Sequence, residues 1–195
     1  MKKLIILTFF LQIAFMSFAQ KHIIEAKINP IGFAFGMYSL ALEYGINDRI
    51  GIDIAPNFRD FTNVTNIQGL KLTSGEKGAG LQISAKYYIK PNKGIDKLGF
   101  GPFIDFLSTD IKTFNKNYEE YKFNSTTTTL GLLGTLKFVK SNGLLFEFSL
   151  GEGVVVSYKD KNLTPTGVQF DRIKPKLTST YRIAIGYRFG GGMKR

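Results

Sequence analysis

Apolar and polar side chains alternate residue by residue along most of this chain. That is the period at which a strand presents two faces, and helical periodicity is nearly absent. Segment 181–189 shows it most cleanly: Tyr181, Ile183, Ile185, Tyr187 and Phe189 share one face, and Arg182, Ala184, Gly186 and Arg188 the other. Segment 38–46 sets Tyr38, Leu40, Leu42, Tyr44 and Ile46 against Ser39, Ala41, Glu43 and Gly45. In 81–89, Leu81, Ile83, Ala85, Tyr87 and Ile89 oppose Gln82, Ser84, Lys86 and Tyr88. Ile50, Ile52 and Ile54 oppose Gly51, Asp53 and Ala55. Phe100, Ile104 and Phe106 oppose Gly101, Phe103 and Asp105, while Leu130, Leu132, Leu136 and Phe138 oppose Gly131, Thr135 and Lys137. Phe146, Phe148, Leu150, Val154 and Val156 oppose Glu147, Ser149, Gly151 and Gly153. Glu152 interrupts that last apolar face, and a bulge at the flanking Gly151 and Gly153 is expected to re-aim it. A first strand is expected at about 26–35, with its phase left ambiguous by Pro30. The pattern predicts an all-β chain of eight antiparallel strands.

The connections carry the next piece of information. Asn47-Asp48, Pro91-Asn92-Lys93-Gly94 and Ser141-Asn142-Gly143 are turn signals, and the connection near Gly36 is also short. Segments 60–77, 110–126 and 159–178 are polar and read as long loops. Short turns on one rim and long loops on the other are the pattern of an outer-membrane barrel of the up-and-down type. Strands of about nine to eleven residues suit a tilted crossing of the hydrocarbon layer. Eight strands return both ends to the short-turn rim, which is then periplasmic, with the long loops extracellular.

The beginning of the chain reads differently. Met1-Lys2-Lys3 is basic, 4–16 is an apolar run interrupted by Thr8 and Gln12, and Ser17-Phe18-Ala19 is small-x-small. This is the pattern of a secretory signal peptide over 1–19, cleaved after Ala19, with 20–195 as the barrel domain. An uncleaved anchor is the alternative, but the run is short for a permanent span.

Alternation alone does not say which face meets what. The polar faces bring Glu43, Asp53, Asp105 and Glu147 together with Lys86, Lys137, Arg182 and Arg188. A narrow interior demands such a balance of signs, because enclosed charges are costly unless paired. The apolar faces then meet lipid. Tyr38, Tyr44, Phe58, Tyr87, Phe138, Tyr158, Tyr181, Tyr187 and Phe189 near strand ends suit interfacial girdles. The alternative is a solvated polar face, as on a soluble lipocalin-like barrel or a sandwich.

Composition removes most chemistry. The chain has 26 Lys+Arg against 15 Asp+Glu, a formal charge of +11, no Cys and one His. Without Cys there is no disulfide, thiolate metal site, Cys nucleophile or lipid-bearing cysteine. His22 precedes the first strand and reads as a solvated terminal residue. Glu119-Glu120 reads as part of a solvated Lys- and Tyr-rich loop, and the strand glycines as interior spacers rather than phosphate cradles. No catalytic, cofactor-binding or metal-binding residue is assigned, and no enzyme activity is expected. Lys112, Lys116 and Lys122 in one loop, and Lys159, Lys161, Arg172, Lys174 and Lys176 in another, suit either loop solubility or the phosphates of lipopolysaccharide. Nucleic acid is not an expected partner.

The run Lys27-Ile28-Asn29-Pro30-Ile31-Gly32-Phe33-Ala34-Phe35-Gly36, followed by Ser39-Leu40-Ala41-Leu42-Glu43-Tyr44, resembles small outer-membrane β-barrel proteins of the Bacteroidota. Many of these are known only as a domain family of unknown function, and their architecture is similar to OmpA-type and OmpX-type eight-stranded barrels. The last strand resembles the signal read by the barrel-assembly machinery, with Arg182, Ala184, Tyr187 and Phe189 at its polar, small and two aromatic positions. Ala184 stands where Gly is usual, and six residues follow Phe189. The resemblance implies outer-membrane lipid and the assembly machinery as partners, and supplies no catalytic residue. The leading expectation is a non-enzymatic barrel with a plugged interior, acting through its loops on lipid, a surface ligand or another outer-membrane complex. A narrow channel past Lys86, Arg182 and Glu147, and a soluble periplasmic ligand-binding barrel, are the alternatives.

Overall fold

The computed structural model describes residues 23–67, 70–114, 120–163 and 175–190. The expected signal peptide, His22, Lys116, Glu119, Arg172 and Lys174 lie outside them. Eight strands follow in order: β1 (Ile23–Ile28), β2 (Met37–Gly45), β3 (Ile50–Ile67), β4 (Leu70–Ile89), β5 (Lys97–Phe114), β6 (Glu120–Val139), β7 (Leu144–Asn162) and β8 (Leu177–Phe189). Each pairs antiparallel with its neighbours in sequence, and β1 pairs with β8 to close the cylinder. The up-and-down barrel expected from the alternation is what forms.

The hand of the alternation is uniform. Leu40, Leu42, Ile52, Ile54, Phe100, Leu132, Phe148, Ile183 and Ile185 lie on the outer wall and are exposed, Leu132 by 69%. Glu25, Glu43, Asp53, Lys86, Lys137, Glu147 and Arg188 point inward and are buried, none exposed by more than 2%. The usual distribution of a globular protein is thus inverted. Tyr44, Tyr87, Phe138, Tyr187 and Phe189 ring the short-turn rim, and Tyr38, Phe58 and Tyr181 stand higher on the wall; all are exposed. Tyr187 and Phe189 meet edge to face at 5.0 Å. Tyr158 differs from this expectation: it is half-buried and donates to Asp160 Oδ2 at 3.2 Å.

Three expectations change. The first strand is Ile23–Ile28, not 26–35, and a short helix α1 (Pro30–Ala34) follows it. Pro30 begins that helix, where its missing N–H and fixed φ do no harm, and Asn29 caps it by accepting from the Gly32 N–H at 3.0 Å. Second, two of the segments read as long loops, 60–77 and 110–126, are mostly strand, while of 159–178 only 159–162 and 177–178 are strand and 164–174 lie outside the described residues. β3 runs to Ile67 and β4 starts at Leu70; β5 reaches Phe114 and β6 starts at Glu120; β7 reaches Asn162 and β8 starts at Leu177. Their polarity does not mark loss of the ladder, and the β5–β6 ribbon keeps an enclosed inner face on which Thr109, Tyr121, Phe123 and Ser125 are buried. Third, no bulge forms at Gly151–Gly153: Gly151, Glu152 and Gly153 pair in unbroken register with Leu133, Leu132 and Gly131. The register slips higher, where Thr128 and Thr129 oppose Ser157 and Val155. Glu152 therefore stays on the outer wall, where it accepts from Ser179 Oγ at 2.6 Å.

The tight turns hold the short rim. Gly143 has φ +90°, and its N–H donates to Lys140 O at 3.1 Å, while Asn142 Oδ1 accepts from the Leu144 N–H at 3.2 Å. A Cβ on Gly143 would meet the Tyr187 ring at 2.8 Å and Arg188 O at 3.0 Å. Gly143→Ala is expected to cost about 1–2 kcal/mol, from the positive φ and the crowding together. The shift of the denaturant midpoint of the folded barrel measures it.

Candidate functional site: a salt-bridged lumen

The lumen owes its character to the strand period. Every second residue of a closed eight-stranded cylinder points into a space just wide enough for side chains, so charges placed there must satisfy one another. Small residues beside them make the room. A Cβ on Gly99 would lie 2.9 Å from the Tyr88 ring, and one on Gly51 would strike the Glu43 carboxylate.

Lys27, from β1, sits at the centre. Its Nζ donates to Glu43 Oε2 at 2.5 Å, Asp53 Oδ2 at 2.5 Å and Glu147 Oε2 at 2.9 Å. Lys86, from β4, reaches the same three carboxylates at 3.2, 3.1 and 3.2 Å. Arg182, from β8, forks onto Asp53 at 3.0 and 2.9 Å and adds Glu147 Oε1 at 2.8 Å. Toward the short-turn rim, Lys137 joins Glu25 Oε2 at 2.6 Å to Glu43 Oε2 at 2.7 Å. Arg188 Nη2 donates to Glu25 Oε1 at 2.5 Å and to Ile95 O at 3.0 Å, and its Nη1 donates to Lys93 O. Tyr88 donates to Glu43 Oε1 at 2.7 Å while Lys137 Nζ stands 4.7 Å from its ring centre. Ile23, Tyr88 and Ile95 pack together beneath this layer, with Ile95 delivered by the turn between β4 and β5.

Seven of the eight expected interior charges join this network: Glu43, Asp53, Lys86, Lys137, Glu147, Arg182 and Arg188. Asp105 does not. It faces inward from β5 above the network, half-buried, and its Oδ1 has no hydrogen-bond partner among the described residues. Glu25, Lys27 and Tyr88 are the members that sequence reading missed. Glu25 and Lys27 do alternate against Ile24, Ala26 and Ile28, but a strand placed at 26–35 loses that phase. Tyr88 was legible as inward-facing, though not as a donor to the network. The balance also shifts, since the network now holds Lys27, Lys86, Lys137, Arg182 and Arg188 against Glu25, Glu43, Asp53 and Glu147.

Glu25, Glu43 and Glu147 offer carboxylate oxygens within 4.8 Å of one another, the spacing of a cation site. The Lys137 ammonium already stands among them, 3.4 Å from Glu147 Oε2 as well as bonded to the other two. A side-chain cation therefore fills the place a metal ion would take. Of the expected assembly-signal residues, Arg182 and Ala184 are buried on the lumen side, and Tyr187 and Phe189 are exposed on the outer wall at the short-turn rim.

The molecule is thus a closed eight-stranded barrel with an apolar outer wall and an ionic, hydrogen-bonded interior. No known protein family matches the chain, and no curated protein does. Among solved structures it is similar to the crystal structure of Acinetobacter baumannii CarO, at a TM-score of 0.45 and 12% identity over 85% of this chain and 96% of that one. The barrel description rests on the strand register, not on that likeness.

Proposed function

We propose that this chain is an integral outer-membrane barrel whose lumen is plugged by its own salt bridges and which acts, without catalysis, through the ribbons on its outer rim. One observation carries the reading: large apolar side chains cover the outside of the cylinder while lysines, arginines and carboxylates fill its inside. In water that arrangement would expose a continuous apolar belt and enclose the costliest groups. In a bilayer the same wall is satisfied by lipid tails, and the closed ladder leaves no strand edge unpaired within the hydrocarbon. The aromatic rings at two heights match the two interfaces.

The network argues against the narrow-channel alternative. The side chains of Lys27, Lys86, Lys137, Glu43, Asp53 and Glu147 are wholly inaccessible, so no water-filled path runs beside them. The ribbons of β3–β4, β5–β6 and β6–β7 rise beyond what a bilayer crossing needs, and they place Lys77, Lys112, Lys122, Lys159 and Lys161 on the outer rim. Lipopolysaccharide phosphates are the partner of matching charge there, with the short-turn rim periplasmic. Assembly is through the barrel-assembly machinery, reading the β8 end.

Membrane fractionation of expressing cells, followed by gel mobility of the detergent-extracted protein before and after boiling, tests the reading. The expected result is recovery in the outer-membrane fraction and a band whose mobility changes on heating. A mature chain that stays in solution without detergent overturns it.

A further inference from the structure

Above the ionic layer the lumen opens into a cavity of about 90 Å³ lined by Asn57, Arg59, Gln82, Asp105, Thr180 and Arg182, among others. This is room for a few waters or one compact polar molecule, since a water occupies about 30 Å³ in the liquid. Two polar atoms that face it lack partners among the described residues. Asp105 Oδ1 is buried without a donor, and Arg182 Nε is buried without an acceptor, although both Nη atoms of that guanidinium are engaged by Asp53 and Glu147. Other lining groups have partners: Gln82 Nε2 donates across the barrel to Thr180 Oγ1 at 3.1 Å, and Arg59 Nη1 donates to Glu76 Oε1 at 3.1 Å. Buried polar groups are paired in the great majority of folded proteins, and a buried carboxylate oxygen without a donor is expensive.

The two orphans are of opposite kind, an anionic acceptor and a cationic donor, in one cavity. We propose that this cavity binds a compact zwitterion, its ammonium on Asp105 and its oxyanion on Arg182 Nε. An ammonium alone would face the positive charges of Arg59 and Arg182, and an oxyanion alone would face Asp105. A molecule carrying both answers each orphan with its complement through charge-assisted hydrogen bonds. Such chemistry comes either free in solution, as in an amino acid, or on a lipid, as in a phosphoethanolamine headgroup. The site goes beyond the plugged-barrel reading, because it lies above the plug and needs no passage through it.

The test is amide NMR of the folded barrel in non-ionic octyl glucoside micelles. Glycine, O-phosphoethanolamine, ethylamine and acetate are titrated separately, and a short-chain phosphatidylethanolamine is added to the micelle in a further arm. Saturable shifts centred on Gln82, Asp105, Thr180 and Arg182 with a zwitterion, and much weaker ones with ethylamine or acetate, are the expected result. A response to free glycine or phosphoethanolamine identifies a soluble ligand, and a response only to the lipid identifies a headgroup. Asp105→Asn is expected to weaken binding about tenfold or more, the scale of one charged hydrogen bond. No saturable shift with any zwitterion, equal binding of ethylamine or acetate, or unchanged binding by Asp105→Asn overturns the proposal. The ligand series uses the unaltered protein, so it decides even if Asp105→Asn fails to fold. Heat-dependent gel mobility is read in parallel: its loss counts against the membrane barrel, whereas silent titrations of a heat-modifiable barrel count against the site alone.

Discussion

Lys27→Met is expected to destabilise the barrel by about 3–5 kcal/mol, the usual scale for removing one partner of a buried ionic group. Among the described residues Lys27 is the one cation bonded at 2.9 Å or less to all three of Glu43, Asp53 and Glu147. Removing it leaves those carboxylates to Lys86 and to Arg182 or Lys137, whose bonds to them are shared or longer. The methionine side chain fills similar volume, so the loss reports charge rather than a cavity. Denaturant unfolding of the protein reconstituted in vesicles, followed by circular dichroism, measures it. The double variant Lys27→Met with Glu43→Gln is expected to recover part of the loss, because the second change removes one of the stranded charges. A loss below about 1 kcal/mol for Lys27→Met alone would mean that the network does not act as a unit.

The second large effect lies on the other side of the wall. Leu42→Arg is expected to cost about 2–4 kcal/mol, as a cation costs near the middle of a bilayer. Leu42 is 56% exposed and pairs with Ala26 on one side and Ile54 on the other, within the apolar belt. Ser39→Thr, on the inward face of the same strand, adds one methyl beside a cavity and is expected to stay within about 1 kcal/mol. The contrast discriminates the proposed environment. On a barrel surrounded by water an arginine at Leu42 would be harmless, so equal mildness of the two substitutions would remove the lipid from outside the wall. Both measurements use vesicles of the same composition, because the depth of Leu42 in the bilayer sets the magnitude.

Much of this was legible because a strand's period of two is strict. In 181–189 and 38–46 the alternation sets Arg182, Arg188 and Glu43 on the polar faces, and the balance of charges on those faces turns them inward, since enclosed charges must pair. The errors have physical causes. Pro30 reads as a residue a strand tolerates at a bulge or near its end, although at the first turn of a helix it is favourable, and a strand placed at 26–35 loses the phase of Glu25 and Lys27. Segments 60–77 and 110–126 read as loops because polarity marks contact with water and does not distinguish a loop from a strand that runs on past the bilayer. Glu152 was expected to turn inward, but the ladder runs straight through its neighbours and Ser179 supplies its partner on the outside.

The sequence by itself determined that the chain folds as eight alternating strands and, for all but the first of them, which side chains share a face, because those depend only on the order of neighbours along one strand. Tertiary structure alone decided which charges pair. Lys27 meets Glu147 across 120 positions of sequence, and Arg188 meets Glu25 across 163. Such contacts depend on closure of β1 against β8 and on the stagger of all eight strands, and no local pattern encodes either. The same closure leaves Asp105 Oδ1 and Arg182 Nε without hydrogen-bond partners among the described residues in one cavity, an outcome of how far each side chain reaches across the lumen.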